Sequence, residues 1–231
     1  MLQNISIATL YPSFVEAYLK FGILRNAIEK NILSFNIINI RDYAVDRHGS
    51  VDDHPYGGGD GMVLRCEPLV RLVSVFEKRP LIIYTSPSGR LWNHEDAVKF
   101  SGIETPLLFI CGRFAGVDQR FIDSYVDDEI SFGDFVVSGG ELPVLMMVDS
   151  IARQIPGVIG NPISPEYDSF TKEMKGLIEY PLYTRPEEFE GMRVPSVLLS
   201  GNHRKIDEWR RKESIMRTEH WQKSKSKTCQ S

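Results

Sequence analysis

The sequence predicts an α/β protein built on a mostly parallel sheet with helices on both faces. Two observations predict it. Short apolar, β-branched runs alternate with segments of helical spacing through the first two thirds of the chain. Three of the runs lead into loops bent by Gly or Pro, the pattern of a ligand site at the carboxyl ends of parallel strands. With 231 residues, 42% hydrophobic and 25% charged, the chain suits one large domain, or a medium one plus a small one.

"ISIATL" (5–10) reads as a buried strand, and "PSFVEAYLKFGILRNAIEKN" (12–31) as a helix opened by Pro12 and Ser13. "LSFNIINI" (33–40) alternates enough for a strand with one wet face. "EPLVRLVSVFEK" (67–78) repeats apolar residues at helical spacing, and "LIIYTS" (81–86) is a second buried strand. "HEDAVKF" and "DQRFIDSYV" are shorter helices; "LLFICG" (107–112) and "FVV" (135–137) are further buried strands. "ELPVLMMVDSIARQIPGVIG" (141–160) is a strong helix with Leu142, Leu145, Met146, Ile151 and Ile155 as its buried stripe. Val144, Met147 and Val148 are surplus to one stripe, which points to burial on a second side, against another subunit. "GNPISPEYDSFTKEMKG" (160–176) has two prolines and little periodicity, so a linker or mobile loop is expected there. "HRKIDEWRRKESIMRT" (203–218) is a basic helix.

Several function classes are disfavoured. No apolar run reaches membrane-spanning length. "MLQNISIATLYPSF" has no charged leader before an apolar core, so a cytoplasmic protein is expected. Cys66, Cys111 and Cys229 show no CxxC spacing, against a disulfide framework or a zinc site. The net charge is −4, but residues 203–231 carry nine Lys/Arg against four Asp/Glu. That segment is therefore +5 and residues 1–202 are −9. A basic tail on an acidic body suggests an anionic partner, nucleic acid first; a solvated terminal helix explains the charge equally well.

"DRHGSVDDHPYGGGDGM" (46–62) must be a loop shaped by its backbone. It is neither a Walker A motif nor a dinucleotide fingerprint. His48, Asp52, Asp53 and His54 match no metal-site spacing. Arg47 and His48 beside Gly57, Gly58 and Gly59 suit a phosphate or nucleotide better. "YTSPSGR" (84–90), "CGRFAGVDQR" (111–120) and "SFGDFVVSGGELP" (131–143) are the three bent loops. If their strands are neighbours, the loops form one pocket of main-chain amides able to read an adenine edge without charged side chains. A plain strand-to-helix turn uses the same glycines, and a lone loop Asp such as Asp168 is usually a cap or turn residue.

Together with "IPGV", "DSF", "YTRPEEFEGM" and "VPSVLLSGNHRKIDEWR", these strings closely resemble the bacterial tRNA (guanine-N(1)-)-methyltransferase family, in order and over nearly the whole chain. The resemblance implies a SPOUT-class fold whose sheet ends in a C-terminal trefoil knot, followed by a small helical domain. Residues 1–159 would be the knotted cofactor-binding domain, 160–175 a flexible linker and 176–231 the tRNA-binding domain. The cofactor would be S-adenosylmethionine, held by Tyr84, Thr85, Ser86, Pro87, Gly112, Ser131, Phe132, Gly133, Asp134, Phe135, Val136, Val137, Gly139, Gly140 and Pro143. The substrate would be the guanosine immediately 3′ of a tRNA anticodon, met by Arg47, His48, Gly57, Gly58, Gly59, Arg113 and Ser169. Asp168 matches the family's base and Arg153 the cation at the 6-oxo oxygen. The resemblance further implies a homodimer with each active site at the interface.

The chain departs from the family in places. Phe114 and Ala115 stand where Tyr and Glu are usual, and Tyr167 precedes Asp168 where an acid is usual, with Glu166 one place earlier. Those acids are linked to assistance by a divalent metal, so no metal ligand is assigned. Ala115 also makes a catalytically weakened tRNA-binding relative the alternative expectation. The tail is short for the family.

Overall fold

A computed structural model describes residues 3–161 and 164–228; Cys229 lies outside them. The chain divides into two units, Met1–Gly160 and Asn161–Ser231.

The first unit runs β1 (Gln3–Thr9), α1 (Pro12–Leu19), α2 (Gly22–Glu29) and β2 (Leu33–Asn39). The single helix expected over 12–31 is broken where Gly22 takes φ +61°, a conformation open to glycine at little cost. A short antiparallel pair, β3 (Asp52–Asp53) and β4 (Val63–Leu64), encloses the glycine loop. Then follow α3 (Cys66–Ser74), β5 (Leu81–Leu91), α4 (His94–Ser101), β6 (Leu107–Ile110), α5 (Gln119–Tyr125), β7 (Asp128–Ser131) and α6 (Glu141–Gln154).

Five strands form one parallel sheet in the order β2-β1-β6-β5-β7. Alternate residues of the central strands feed two cores, as a strand's period of two requires. Ile5, Ile7, Phe109 and Ile83 pack on one face with Val15, Leu24, Phe100 and the α6 residues Val144, Met147, Val148 and Ile151. Ala8, Leu108, Ile110 and Ile82 pack on the other with Leu69, Leu72 and Phe121. The sheet is thus covered on both faces, as an all-parallel sheet must be.

Three local expectations are corrected. Residues 135–137 are not a strand: Phe135, Val136 and Val137 are exposed, Val136 by 83%. The strand is β7 just upstream, whose acidic residues Asp128 and Glu129 hide it from a reading based on apolar runs. "YTSPSGR" is no loop beyond a strand but part of β5, bulged where pairing to β7 jumps from Thr85 to Arg90, both opposite Ile130. In α6 the stripe is rotated. Val144, Met147 and Val148, the expected surplus, face the core, while Leu142 and Met146 of the expected stripe are 54% and 55% exposed. With so many apolar positions on one helix, spacing alone does not say which arc meets the sheet.

The second unit begins with a 3-10 turn (Ser164–Tyr167), then a two-stranded hairpin, β8 (Glu188–Phe189) and β9 (Met192–Arg193), α7 (Ser196–Leu199) and the long α8 (His203–Thr228). Its upstream segment is anchored on α8. The Ile178 N–H donates to Thr218 Oγ1 at 2.9 Å, the Phe170 and Trp221 rings lie 5.4 Å apart, and the Arg210 guanidinium sits 4.8 Å above the Tyr180 ring. Thr171 is buried, its hydroxyl donating to the carbonyls of Glu166 at 2.7 Å and Asp168 at 2.9 Å.

Candidate active site

The carboxyl-terminal parts of β5, β6 and β7 surround a cavity of about 440 Å³, lined by residues 84–88, 112–117, 129–133 and 135–140 with Gln119, Ile122 and Pro143. That volume is in the range of small-molecule sites. The bulge of β5 and the loops that follow β6 and β7 come together because these strands are neighbours in the sheet. The residues expected to bind the cofactor all line the cavity except Asp134, which is exposed and points no side chain into the lining.

Part of the wall is bare backbone because several positions admit no side chain. A Cβ on Gly112 would stand 2.9 Å from the Tyr84 ring, and one on Gly140 would stand 2.6 Å from Thr85 Oγ1 and 2.8 Å from the Gly112 nitrogen. The turn at 138–140 is closed by the Gly140 N–H donating to the Gly112 carbonyl at 2.8 Å. Thr85 Oγ1 is buried beside Gly140 and has no hydrogen-bond partner among the described residues.

Among the described residues, only Arg113 and Glu129 bring charge to the lining. Glu129 Oε1 accepts from Ser88 Oγ at 2.9 Å, and Ser88 Oγ lies 2.7 Å from Ser86 Oγ. Burial, and then the Glu129 carboxylate, push the Tyr84 phenol above its usual range, so it stays protonated. Burial also pushes the Cys111 thiol well up, with Glu141 adding to it. Cys111 is therefore an inert core thiol and no nucleophile.

Residues 3–227 match the family described as tRNA (Guanine-1)-methyltransferase TrmD. The chain belongs to this family. It is 50% identical over 216 residues to a tRNA (guanine-N(1)-)-methyltransferase of Geobacter sulfurreducens, covering 92% of this chain and 86% of that protein. It is 47% identical over 219 residues to the protein of the same name from Thermotoga maritima, covering 94% and 87%. Among solved structures it resembles the tRNA (m1G37) methyltransferase from Aquifex aeolicus, with a TM-score of 0.77, 35% identity, and 98% and 94% of the two chains covered.

The other residues that the tRNA (guanine-1)-methyltransferase resemblance singles out are placed as follows. Arg153 lies in the last turn of α6, where a cation complements the helix dipole. Asp149, one turn earlier, is held above the usual carboxylate range by desolvation, with Arg153 pulling the other way. Arg47 and His48 are exposed, and Asp46 Oδ1 shapes their turn by accepting from the N–H groups of His48 at 2.8 Å and Ser50 at 3.1 Å. Gly57, Gly58 and Gly59 all have positive φ and open space around them. The end of their loop is tied to the cavity: the Ala115 N–H donates to the Met62 carbonyl at 2.8 Å, and a Cβ on Gly61 would touch that of Ala115 at 3.6 Å.

Arg113 is not free to reach outward. Its Nη1 donates to the Ser138 carbonyl at 3.0 Å, its Nε to Glu141 Oε1 at 3.3 Å, and its guanidinium lies 4.4 Å over the Tyr11 ring. In the second unit Asp168 is half-buried, and Ser169 Oγ accepts from the Glu179 N–H at 2.9 Å. Among the described residues no three His, Cys, Asp or Glu side chains are grouped as metal ligands, and no helix is long and apolar enough to cross a membrane. Sequence reasoning missed Ser88, Glu129 and Ser138 on the lining, and Thr9 and Glu141 behind it. Glu129 had no clear signal, since the acids of β7 hide the strand that carries it. Glu141 had none, since an acid in the first turn of a helix is ordinary.

Proposed function

We propose that this protein transfers the methyl group of S-adenosylmethionine to nitrogen 1 of the guanosine immediately 3′ of a tRNA anticodon, in the cytoplasm. The observation that carries this reading is a cavity at the strand ends, partly walled by main chain, in a chain of this family. The residues present fit the cofactor. The cavity offers backbone amides to an adenine edge, an unpartnered Thr85 hydroxyl and a single carboxylate, and it lacks the phosphate-binding motifs that this cofactor does not need. We assign residues 1–159 to cofactor binding, 160–175 to the connection that carries Asp168, and 176–231 to tRNA binding.

S-adenosylmethionine, when bound, supplies an electrophilic methyl group. The chain's own residues do the rest. Guanine N1 carries a proton at neutral pH, and Asp168 takes it as general base. Arg153 donates to the 6-oxo oxygen, where negative charge grows as the proton leaves. The residues do not fit a divalent-metal site of the kind the family's acids imply, because Ala115 and Tyr167 bring no carboxylate, so no step is routed through a metal. The exposed Leu142 and Met146 on α6 and Phe14 and Tyr18 on α1 support a homodimer, in which Asp168 of one copy serves the cavity of the other.

The test is incubation with methyl-labelled S-adenosylmethionine and a tRNA transcript whose guanosine immediately 3′ of the anticodon is preceded by another guanosine, with mapping of the methylated atom. Label at guanine N1 is expected, with none on a transcript lacking the target guanosine. Asp168→Asn should lower turnover by at least about 100-fold, the usual worth of a positioned base, with cofactor affinity little changed. Binding of tRNA with no methyl transfer would instead establish the weakened relative that Ala115 suggests.

A further inference from the structure

Glu141 has its side chain only 2% exposed. A carboxylate that deep persists only when its oxygens are partnered. Thr9, at the end of β1, donates its hydroxyl to Glu141 Oε1 at 2.7 Å. Arg113, leaving β6, donates Nε to the same oxygen at 3.3 Å and brings Nη2 to 3.0 Å from Oε2, an ion pair without full hydrogen-bond alignment. The far side of the guanidinium holds the Ser138 carbonyl at 3.0 Å. Two segments distant in sequence, at Thr9 and Arg113, are thus bound to one carboxylate, and Arg113 ties it to the Ser138 backbone.

The glycine beside this cluster makes the same point from the backbone. A Cβ on Gly139 would overlap the Arg113 guanidinium and stand 2.6 Å from Glu141 Oε2. Gly139 is therefore glycine because the ion pair fills the space where its side chain would go. Its backbone also pairs with that of Arg113. An acid needed only for the helix dipole would sit in solvent at the helix end; Glu141 is turned inward instead.

We propose that Glu141 is a positioning residue for the methyl-donor pocket. Held by Thr9, its carboxylate locks Arg113 against Ser138 and Gly139, and so fixes the 138–140 turn that forms one wall of the cavity. Arg113 acts through this lock and not as a direct tRNA contact. The inference rests on the proposed function in taking S-adenosylmethionine as the occupant of the cavity.

Calorimetric titration of the intact chain with S-adenosylmethionine and with S-adenosylhomocysteine tests it, alongside tRNA binding and steady-state kinetics. Glu141→Gln keeps size and an acceptor for Thr9 but removes the charge. It should weaken both ligands by at least about ten-fold through a displaced wall, raising KM for the donor while kcat at saturation stays within about three-fold. Affinity for tRNA should stay within about two-fold. Arg113→Gln should show the same pattern, and the double variant should be no worse than the worse single, because the two groups act as one unit. Thr9→Val should weaken donor binding and Thr9→Ser should restore it. Donor affinity within about two-fold of wild type in folded Glu141→Gln, with only a lower Tm, would make the carboxylate merely structural and overturn the proposal. Loss of tRNA affinity with intact donor affinity in Arg113→Gln would overturn it too. If Glu141→Gln does not fold, Thr9→Val decides by the same readout. Failure of the wild-type chain to bind the donor would sink the functional reading itself, a result distinct from either.

Discussion

Two glycine-rich regions lie within the first unit, and the crowded glycines of one answer a different need from the open glycines of the other. In the loop at 57–61 every glycine has positive φ, from +80° at Gly58 to +122° at Gly59, and nothing in the protein lies within 4 Å of a Cβ added at 57, 58 or 59. In the pocket, Gly112, Gly139 and Gly140 are absent from the positive-φ residues, and an added Cβ at each would collide at 2.9 Å or less. The loop needs glycine for a conformation; in the pocket Gly112, Gly139 and Gly140 are needed for space, while Gly116 and Gly133 on the same lining take positive φ as the loop glycines do. The difference also separates what each region can do. The loop is an open run of backbone with free space around it, whereas in the pocket backbone is packed tightly at Gly112, Gly139 and Gly140 within a lining that also carries Tyr84, Phe114, Phe132 and Phe135.

The largest expected effect comes from breaking the pocket's spacing. Gly140→Ala puts a methyl group 2.6 Å from Thr85 Oγ1 and 2.8 Å from the Gly112 nitrogen. Overpacking of this kind costs typically about 1–3 kcal/mol, and backbone cannot move aside as a flexible side chain can. The displaced turn should lower donor affinity by at least about 100-fold, since an error of about 1 Å in a reacting site costs that much. Calorimetry on folded protein measures it. Unchanged affinity would show that the crowding around Gly140 has no bearing on the cavity.

The matching change in the loop is Gly58→Ala. Its φ of +80° is strained for any L-residue, at a cost of about 1–2 kcal/mol. Denaturant unfolding should show that loss, while donor affinity stays within about two-fold because the loop does not line the cavity. Affinity for tRNA should fall if the loop meets the anticodon backbone. Gly58→Asn should recover part of the stability, since Asn tolerates the left-handed region. Equal effects of the two alanines on donor binding would erase the distinction between the regions.

The basic helix α8 is a third kind of surface, made of exposed side-chain charge. Removing Arg204, Lys205, Arg211 and Lys212 together, all exposed, should reduce the dependence of tRNA affinity on salt. Each phosphate that is no longer neutralised takes a little under one unit from the slope of log affinity against log salt. Donor affinity should not move. An unchanged slope would identify these cations as a solvated helix face and nothing more.

These regions are legible in the sequence to different degrees. The strands β1, β2 and β6 and the amphipathic α3 stand out because each carries a dense apolar run of the right period. The three bent stretches of the pocket are visible as Gly and Pro clusters, and fourteen of the fifteen residues to which the family resemblance points for the cofactor lie on the cavity, all but Asp134. What escapes the sequence does so for physical causes. β7 is hidden because Asp128 and Glu129 occupy strand positions where Asp128 is held by Arg90 at 2.6 Å and Glu129 by Ser88 at 2.9 Å, so polar partners replace the apolar pattern. The rotation of α6 is hidden because its surplus of apolar residues permits several buried arcs. Arg113 reads as a cation pointing outward because its neutralising partner lies 28 positions away in sequence.

The smallest expected effect sets burial of a charge against crowding of a backbone. Crowding involves no proton, so the stability costs of Gly140→Ala and Gly58→Ala should be the same in mildly acidic and neutral solution. Asp149 differs. Its carboxyl is held above the ordinary value of 3.8 by desolvation, only partly opposed by Arg153. A raised folded-state pKa means that the fold binds the proton more tightly than the unfolded chain does. The stability this gives is fully present below the unfolded value and is lost as pH rises through the folded one. At neutral pH the ionised Asp149 is therefore a small liability. Asp149→Asn should raise Tm slightly at pH 7, and the gain should shrink to nothing as pH falls to the ordinary carboxylate range. Thermal unfolding across that window checks it, at one protein concentration so that any subunit association contributes equally. A gain that persists unchanged into acid would mean that Asn packs better there and that desolvation of the carboxylate is not the cause.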